Sequence, residues 1–151
     1  MTEIIKDLWV GDLWHVHQAA DAGMVVICVL EERPEEEPLD AIHVPLMKFL
    51  PAYEDAQHAL VNHPLSTYEG QWRTNMINLA IICYAIDAGR EMGRAVYVHC
   101  AAGVERSPLV IAWYLHTRYN KTLDDAYAEI QSKRSVVMDR RSYLPHPFNM
   151  E

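Results

Sequence analysis

The stretch Ala95-Val96-Tyr97-Val98-His99-Cys100-Ala101-Ala102-Gly103-Val104-Glu105-Arg106-Ser107-Pro108 decides how this chain of 151 residues is read. Ala95 to His99 is apolar and β-branched, the pattern of a buried strand, and it runs directly into Cys100. Pro108 suits the first position of a helix, where its missing N–H costs nothing. Leu109 to Leu115 is apolar almost all round, so a buried helix follows. A loop caught between a buried strand and a helix N-terminus aims successive backbone N–H groups into one concavity, which favours a dianionic phosphate.

The same field favours a thiolate over a thiol. Cys100, at the loop entrance, is therefore expected to have a depressed pKa and to act as a nucleophile. Arg106, six residues on, can close the ring with a bidentate fork onto two phosphate oxygens. Gly103 permits the sharp turn that aligns the amides of Ala101, Ala102, Gly103, Val104, Glu105 and Arg106 on the phosphate. Ser107 can donate a hydrogen bond to the sulfur when it leaves, and His99 is expected to orient the loop through backbone contacts.

Working outward, Leu8-Trp9-Val10 ahead of Gly11-Asp12 reads as a short strand, and Val25 to Leu30 as a strand covered on both faces. Ile42 to Leu46 is a further short strand. Ile77, Ala80, Ile81, Tyr84, Ala85 and Ala88 recur at helical spacing, and Gly89 and Gly93 supply stop signals, so a helix is predicted over roughly 73–92. Thr122 with Asp124 and Asp125 marks a capped helix start. Leu123, Ala126, Tyr127 and Ile130 form the apolar face of that helix, and Lys133 and Arg134 stand at its end. Strands alternating with helices predict a single α/β domain over 1–151, with a central, mostly parallel sheet flanked by helices. Glu31 to Pro38 reads as an exposed acidic loop.

Composition narrows the classes. There are 13 Lys+Arg against 21 Asp+Glu, a formal charge of −8, which argues against nucleic-acid binding. No apolar run approaches a membrane span, and the N-terminus lacks a secretory pattern, so no membrane association is expected. The three cysteines are odd in number and lack C-x-x-C spacing, which points to a reducing cytoplasm rather than a disulfide framework or zinc site. Cys28 and Cys83 read as small buried hydrophobes. No cofactor or metal is called for: His15 and His17 are two apart with no third ligand in register.

His99 to Ser107, in the form H-C-x-x-G-x-x-R-S, resembles the signature loop of the cysteine-dependent protein tyrosine phosphatases, and the short chain resembles their dual-specificity branch. Asp7-Leu8-Trp9-Val10-Gly11-Asp12 is similar to the opening of that branch, in which a first helix would follow near residues 14–22. Ser107 to Arg134 is similar to its C-terminal half. The resemblance implies metal-free phosphomonoester hydrolysis in two steps on a phosphorylated protein or a small phosphomonoester, by a monomer. Cys100 attacks phosphorus, Arg106 and the loop amides hold the equatorial oxygens, and a carboxylic acid protonates the leaving oxygen and then activates water.

That acid is where the chain departs from the family. The usual aspartate after the Ile42–Leu46 strand is replaced by Met47-Lys48, and an inserted segment at about 49–68 follows. Glu69 lies 31 positions before Cys100 and is the first candidate for the acid, with Asp55 the alternative. Glu105, an unusual neighbour for the loop arginine, is read as pairing with a nearby base. Ala101, Ala102 and Val104 bring no cation to the loop, which speaks against highly phosphorylated inositides. Arg140, Arg141 and Tyr143 could reach the pocket mouth, and Trp72 could wall it. Two rivals stay open: a phosphate- or phosphopeptide-binding module whose turnover is lost with the displaced acid, and a sulfurtransferase with a loop cysteine.

Overall fold

A computed structural model describes residues 1–48 and 68–150. The described strands are β1 (Thr2–Ile5), β2 (Leu8–Gly11), β3 (Val25–Cys28), β4 (Ile42–His43) and β5 (Val96–His99). They form one sheet in the order β1-β2-β5-β3-β4. The pair β1–β2 is antiparallel and every other neighbour is parallel. The helices are α1 (Val16–Asp21), α2 (Tyr68–Glu91), α3 (Arg106–Tyr119) and α4 (Leu123–Lys133). This is the expected α/β architecture with a mostly parallel sheet.

The two faces of the sheet are covered unequally. Val96 and Val98 of β5, with Ile27 of β3, join the large core under α2, α3 and α4, whereas Tyr97 and Val26 point the other way onto Val16 and Ala19 of α1. Strands covered on both sides need apolar residues at every position, which is why Val25–Cys28 and Val96–His99 read as continuous runs. α3 is buried from Arg106 to Leu115 and ends at Asn120 in the left-handed conformation (φ 56°). α4 starts on Thr122, whose Oγ1 accepts a hydrogen bond from the Asp125 N–H at 3.1 Å.

Several boundaries differ from those expected. β1 was not anticipated; it adds an edge strand that turns back at Asp7, which has positive φ. The Val25–Leu30 run pairs only as far as Cys28, and β4 keeps two residues of Ile42–Leu46. Beyond them Val29 and Leu46 stay buried, and the Leu46 N–H donates to Val29 O at 3.0 Å outside regular pairing. α2 begins at Tyr68 rather than near residue 73. α3 begins at Arg106, so Pro108 is its third residue, still within the first turn where no N–H has a helical partner.

Candidate active site

Cys100 follows the end of β5 and Arg106 opens α3, so the loop between them is held at both ends by buried elements. Its carbonyls are all engaged from outside. Ala101 O accepts from the Leu13 N–H at 3.0 Å, and Val104 O from the Met138 N–H at 2.9 Å. Arg134 donates to Gly103 O at 2.9 Å and to Ala102 O at 3.2 Å. In a trans peptide the next residue's N–H points opposite to the carbonyl, so the amides of Ala102 to Glu105 are turned inward. Gly103 adopts φ +68°, and a Cβ there would stand 2.6 Å from the Gly11 carbonyl carbon. No other residue type fits that turn without moving the β2 end.

The inward amides surround a cavity of about 270 Å³ lined by Lys48, Cys100, Ala101, Ala102, Val104, Glu105 and Arg106. Cys100 is almost fully buried, only 3% exposed. Burial opposes its ionisation, yet the Ser107 hydroxyl, the Ser107 and Gly103 N–H groups and the Arg106 charge outweigh it and lower its pKa. The Ser107 hydroxyl lies 3.2 Å from Cys100 Sγ and 3.2 Å from Gly11 O, so one rotation moves its proton between them. Arg106 is buried, and its Nε has no protein partner among the described residues. A buried guanidinium donor without a partner is matched to an anion's oxygen.

A profile of the dual specificity phosphatase catalytic domain matches residues 46–146. The chain belongs to the dual specificity phosphatase family. Dual specificity protein phosphatase 5 of Rattus norvegicus is 46% identical over 59 residues, which make up 39% of this chain and 15% of that protein. Dual specificity protein phosphatase 1 of Mus musculus is 32% identical over 59 residues, again 39% of this chain and 16% of that one. The aligned stretch is thus a small part of these curated relatives. Among solved structures, human DUSP28 superposes with a TM-score of 0.67 at 21% identity, covering 94% of this chain and 86% of that chain. The human tyrosine phosphatase-like serine/threonine/tyrosine-interacting protein gives 0.65 at 16% identity, covering 99% and 90%. At these identities the structural likeness shows the fold.

Behind the phosphatase loop His99 is wholly buried and does more than touch backbone. Its Nδ1 donates to Cys100 O at 3.1 Å, and its Nε2 donates to Glu37 Oε1 at 2.7 Å. With both ring nitrogens donating, the imidazole is a cation. Burial works against that charge, but hydrogen bonds to Cys28 and Glu37 prevail and push the His99 pKa up to about 10. Glu37 comes from the acidic stretch read as exposed, and here the structure corrects that reading: Glu37 is 5% exposed, since a buried imidazolium needs a counter-charge. Cys28, Glu37 and His99 each bring one possible ligand atom, all within 4.8 Å of one another.

This pair makes stability depend on pH. A group whose folded pKa is raised stabilises the fold fully below its unfolded pKa of 6.5 and loses that contribution as pH rises toward about 10. The stability advantage of the wild type over Glu37→Gln in urea unfolding should therefore shrink between pH 7 and 9. Glu37→Gln should be less stable at pH 6, by about 3–5 kcal/mol for a broken buried pair, and flatter across that window. Parallel wild-type and mutant profiles would contradict the pairing.

The other expected site residues divide. Glu105 does meet bases: Arg140 Nη2 at 2.8 Å and Lys48 Nζ at 3.2 Å. Burial raises its pKa, but these two cations override it and hold the carboxyl below its usual range. Arg140 thus reaches the rim through Glu105, whereas Arg141 turns away to Asp139 and Asp124. Tyr143 is buried, and the Trp72 indole N–H donates to Ser142 O at 3.2 Å, outside the cavity lining.

The structure corrects the placing of Glu69. Its carboxylate is exposed and pairs with Arg73 one turn along α2, and it is not among the cavity residues. Helical continuity from Tyr68 sends it to solvent. Asp55 and most of the inserted segment lie outside the described residues. His15 binds Asp12 at 2.6 Å and His17 is exposed.

Three residues that support or line the cavity were not singled out as site residues from the sequence. Arg134 looked like the end of a helix, yet it clamps the loop from behind. Asn75 is buried in an amphipathic pattern, and its amide holds Met47 N at 2.7 Å, Met47 O at 3.1 Å and Tyr143 O at 3.0 Å. Lys48 was visible only as a departure from the family, but it supplies the cavity with a cation that the variable loop positions lack.

Proposed function

We propose that this chain hydrolyses phosphomonoesters through a cysteinyl-phosphate, with phosphoproteins as its substrates. The observation that carries this reading is the loop itself: outward carbonyls, inward amides, a thiol driven toward thiolate and the partnerless Arg106 Nε, all around one cavity. Cys100 attacks phosphorus in line, while the amides of Ala101 to Arg106 and the Arg106 fork hold the three equatorial oxygens. Charge gathering on those oxygens meets donors already in place, so little reorganisation is needed. The Ser107 hydroxyl donates a hydrogen bond to the sulfur as the cysteinyl-phosphate breaks, making thiolate a better leaving group.

No step in this scheme needs a metal. Hydrolysis of p-nitrophenyl phosphate should proceed with chelator present and be blocked by vanadate, and a requirement for an added divalent ion would refute the scheme. We further read the chain as one catalytic domain carrying an insertion at about 49–68, acting as a monomer. All three cysteines are free, which suits the reducing cytoplasm that a thiolate nucleophile requires. No helix among the described residues is long and apolar enough to cross a membrane.

A further inference from the structure

Most of the residues whose spacing marks α2 in the sequence are not the ones it buries. Against the core the helix sets Leu79, Ile82, Cys83 and Ile86, all buried. Its opposite side is apolar as well: Ile77 is 63% exposed, Ile81 49% and Tyr84 74%, and Ala80 and Ala88 are exposed with them. A surface helix ordinarily turns charge to water on that side, and a helix apolar on both sides has a second face to cover.

The pattern along this face says what covers it. Between Arg73 and Glu91 the exposed positions of α2 are Ile77, Ala80, Ile81, Tyr84 and Ala88, and no others. Arg73 and Glu91 are themselves exposed and lie 18 residues apart, about five whole turns, so a cation and a carboxylate close the two ends of one stripe. Reversed, the stripe is its own complement. With a second copy of α2 laid antiparallel across it and Ile81 beside the two-fold axis, Arg73 stands opposite Glu91, Ile77 opposite Ala88, and Ala80 opposite Tyr84. Each pair occurs twice, cation against carboxylate and large side chain against small, as an isologous contact requires. Arg73 also meets Glu69 on its own helix, but both side chains are exposed, and an exposed pair one turn apart holds its members only weakly.

We propose that α2 carries an interface for a second copy of this chain, an antiparallel helix pair centred on Ile81. The cavity is lined by residues of one chain, so each copy keeps a whole catalytic loop and works as a single chain. The pairing thus goes beyond the phosphatase reading without resting on it. One helix pair is a small contact, at the low end of specific interfaces, so the association is reversible and set by concentration.

The test is analytical ultracentrifugation of the full chain from about 10 μM to about 1 mM, the span in which a weak contact of this kind associates. It compares wild type, Arg73→Glu, Glu91→Arg and an equimolar mixture of the two variants. Wild-type mass should rise from monomer toward dimer. Arg73→Glu sets two carboxylates against each other at both ends of the stripe, and Glu91→Arg sets two guanidiniums there, so each variant alone should associate at least about tenfold more weakly. Mixed, each supplies at both ends the charge that the other lacks, and the dimer should return to about the wild-type level. Urea unfolding close to wild type shows that each variant is folded. A wild type that is monomeric at every concentration, as when a different protein or another part of the chain covers the face, overturns the proposal. A mixture that associates no better than either variant alone overturns it too, because the association then uses another face or another register.

Discussion

Cys100→Ser should abolish hydrolysis of p-nitrophenyl phosphate, with a loss on the order of 10⁴-fold or more, while unfolding in urea stays close to wild type. The sulfur and oxygen atoms differ little in size, so the buried contacts persist. What is lost is ionisation: the Ser107 hydroxyl, the Ser107 and Gly103 amides and the Arg106 charge together lower the pKa of a thiol, but they start from a group already near neutrality. A serine hydroxyl begins far above that range and remains protonated. Alkylation by iodoacetamide supplies an independent measure, since wild type should react at neutral pH at Cys100, which lines the cavity and is driven toward thiolate, whereas burial pushes the Cys83 thiol up to about 11. Folded Cys100→Ser with appreciable turnover would remove the nucleophile from the scheme.

Arg106→Lys is expected to have the second largest effect. Arg106 is only 8% exposed, and its Nε has no protein partner among the described residues, so the fork is prepared for two phosphate oxygens. Lysine keeps the charge but loses the planar pair of donors, and its ammonium cannot span the same two oxygens. Turnover should fall by about 10²–10³-fold, the scale on which a single transition-state donor acts. Vanadate, which resembles the pentacoordinate transition state, should lose affinity more than inorganic phosphate does. Equal loss for both anions would mean that Arg106 supplies charge alone.

How much of this was legible beforehand follows from how far apart the partners lie in the chain. The strand, loop and helix from Ala95 to Leu115 are contiguous, so their order and the nucleophile–arginine spacing stand in one stretch of text. The buried strands were legible for a related reason, because burial on two faces requires every residue to be apolar. Element ends were less legible. β4 stops after two residues although the apolar run continues, because backbone pairing and burial end at different places.

The residues that complete the site come from distant segments. Glu37 is 62 positions from His99, and within its acidic stretch nothing distinguishes it from Glu35 or Glu36. Arg134 is 31 positions from the Gly103 carbonyl it holds. Asn75 is 28 positions from Met47, with a helix face that reads as ordinary amphipathic pattern. Glu69 matched the family in linear spacing, but helix geometry turned it to Arg73 and solvent. Distance along the chain says little about direction in space once an insertion separates two elements.

The sequence by itself therefore determined the parts made of neighbours: an α/β sheet, a loop between strand and helix, a cysteine at its entrance and an arginine at its close. Their geometry follows from backbone rules acting over a few residues, and those rules are written locally. Only the tertiary structure decided which charges surround that loop: the buried His99–Glu37 pair behind it, the Arg134 clamp, and Lys48 with Glu105 at the mouth. Charges interact through space and across the low-dielectric core, so their partners are chosen by packing rather than by position in the chain.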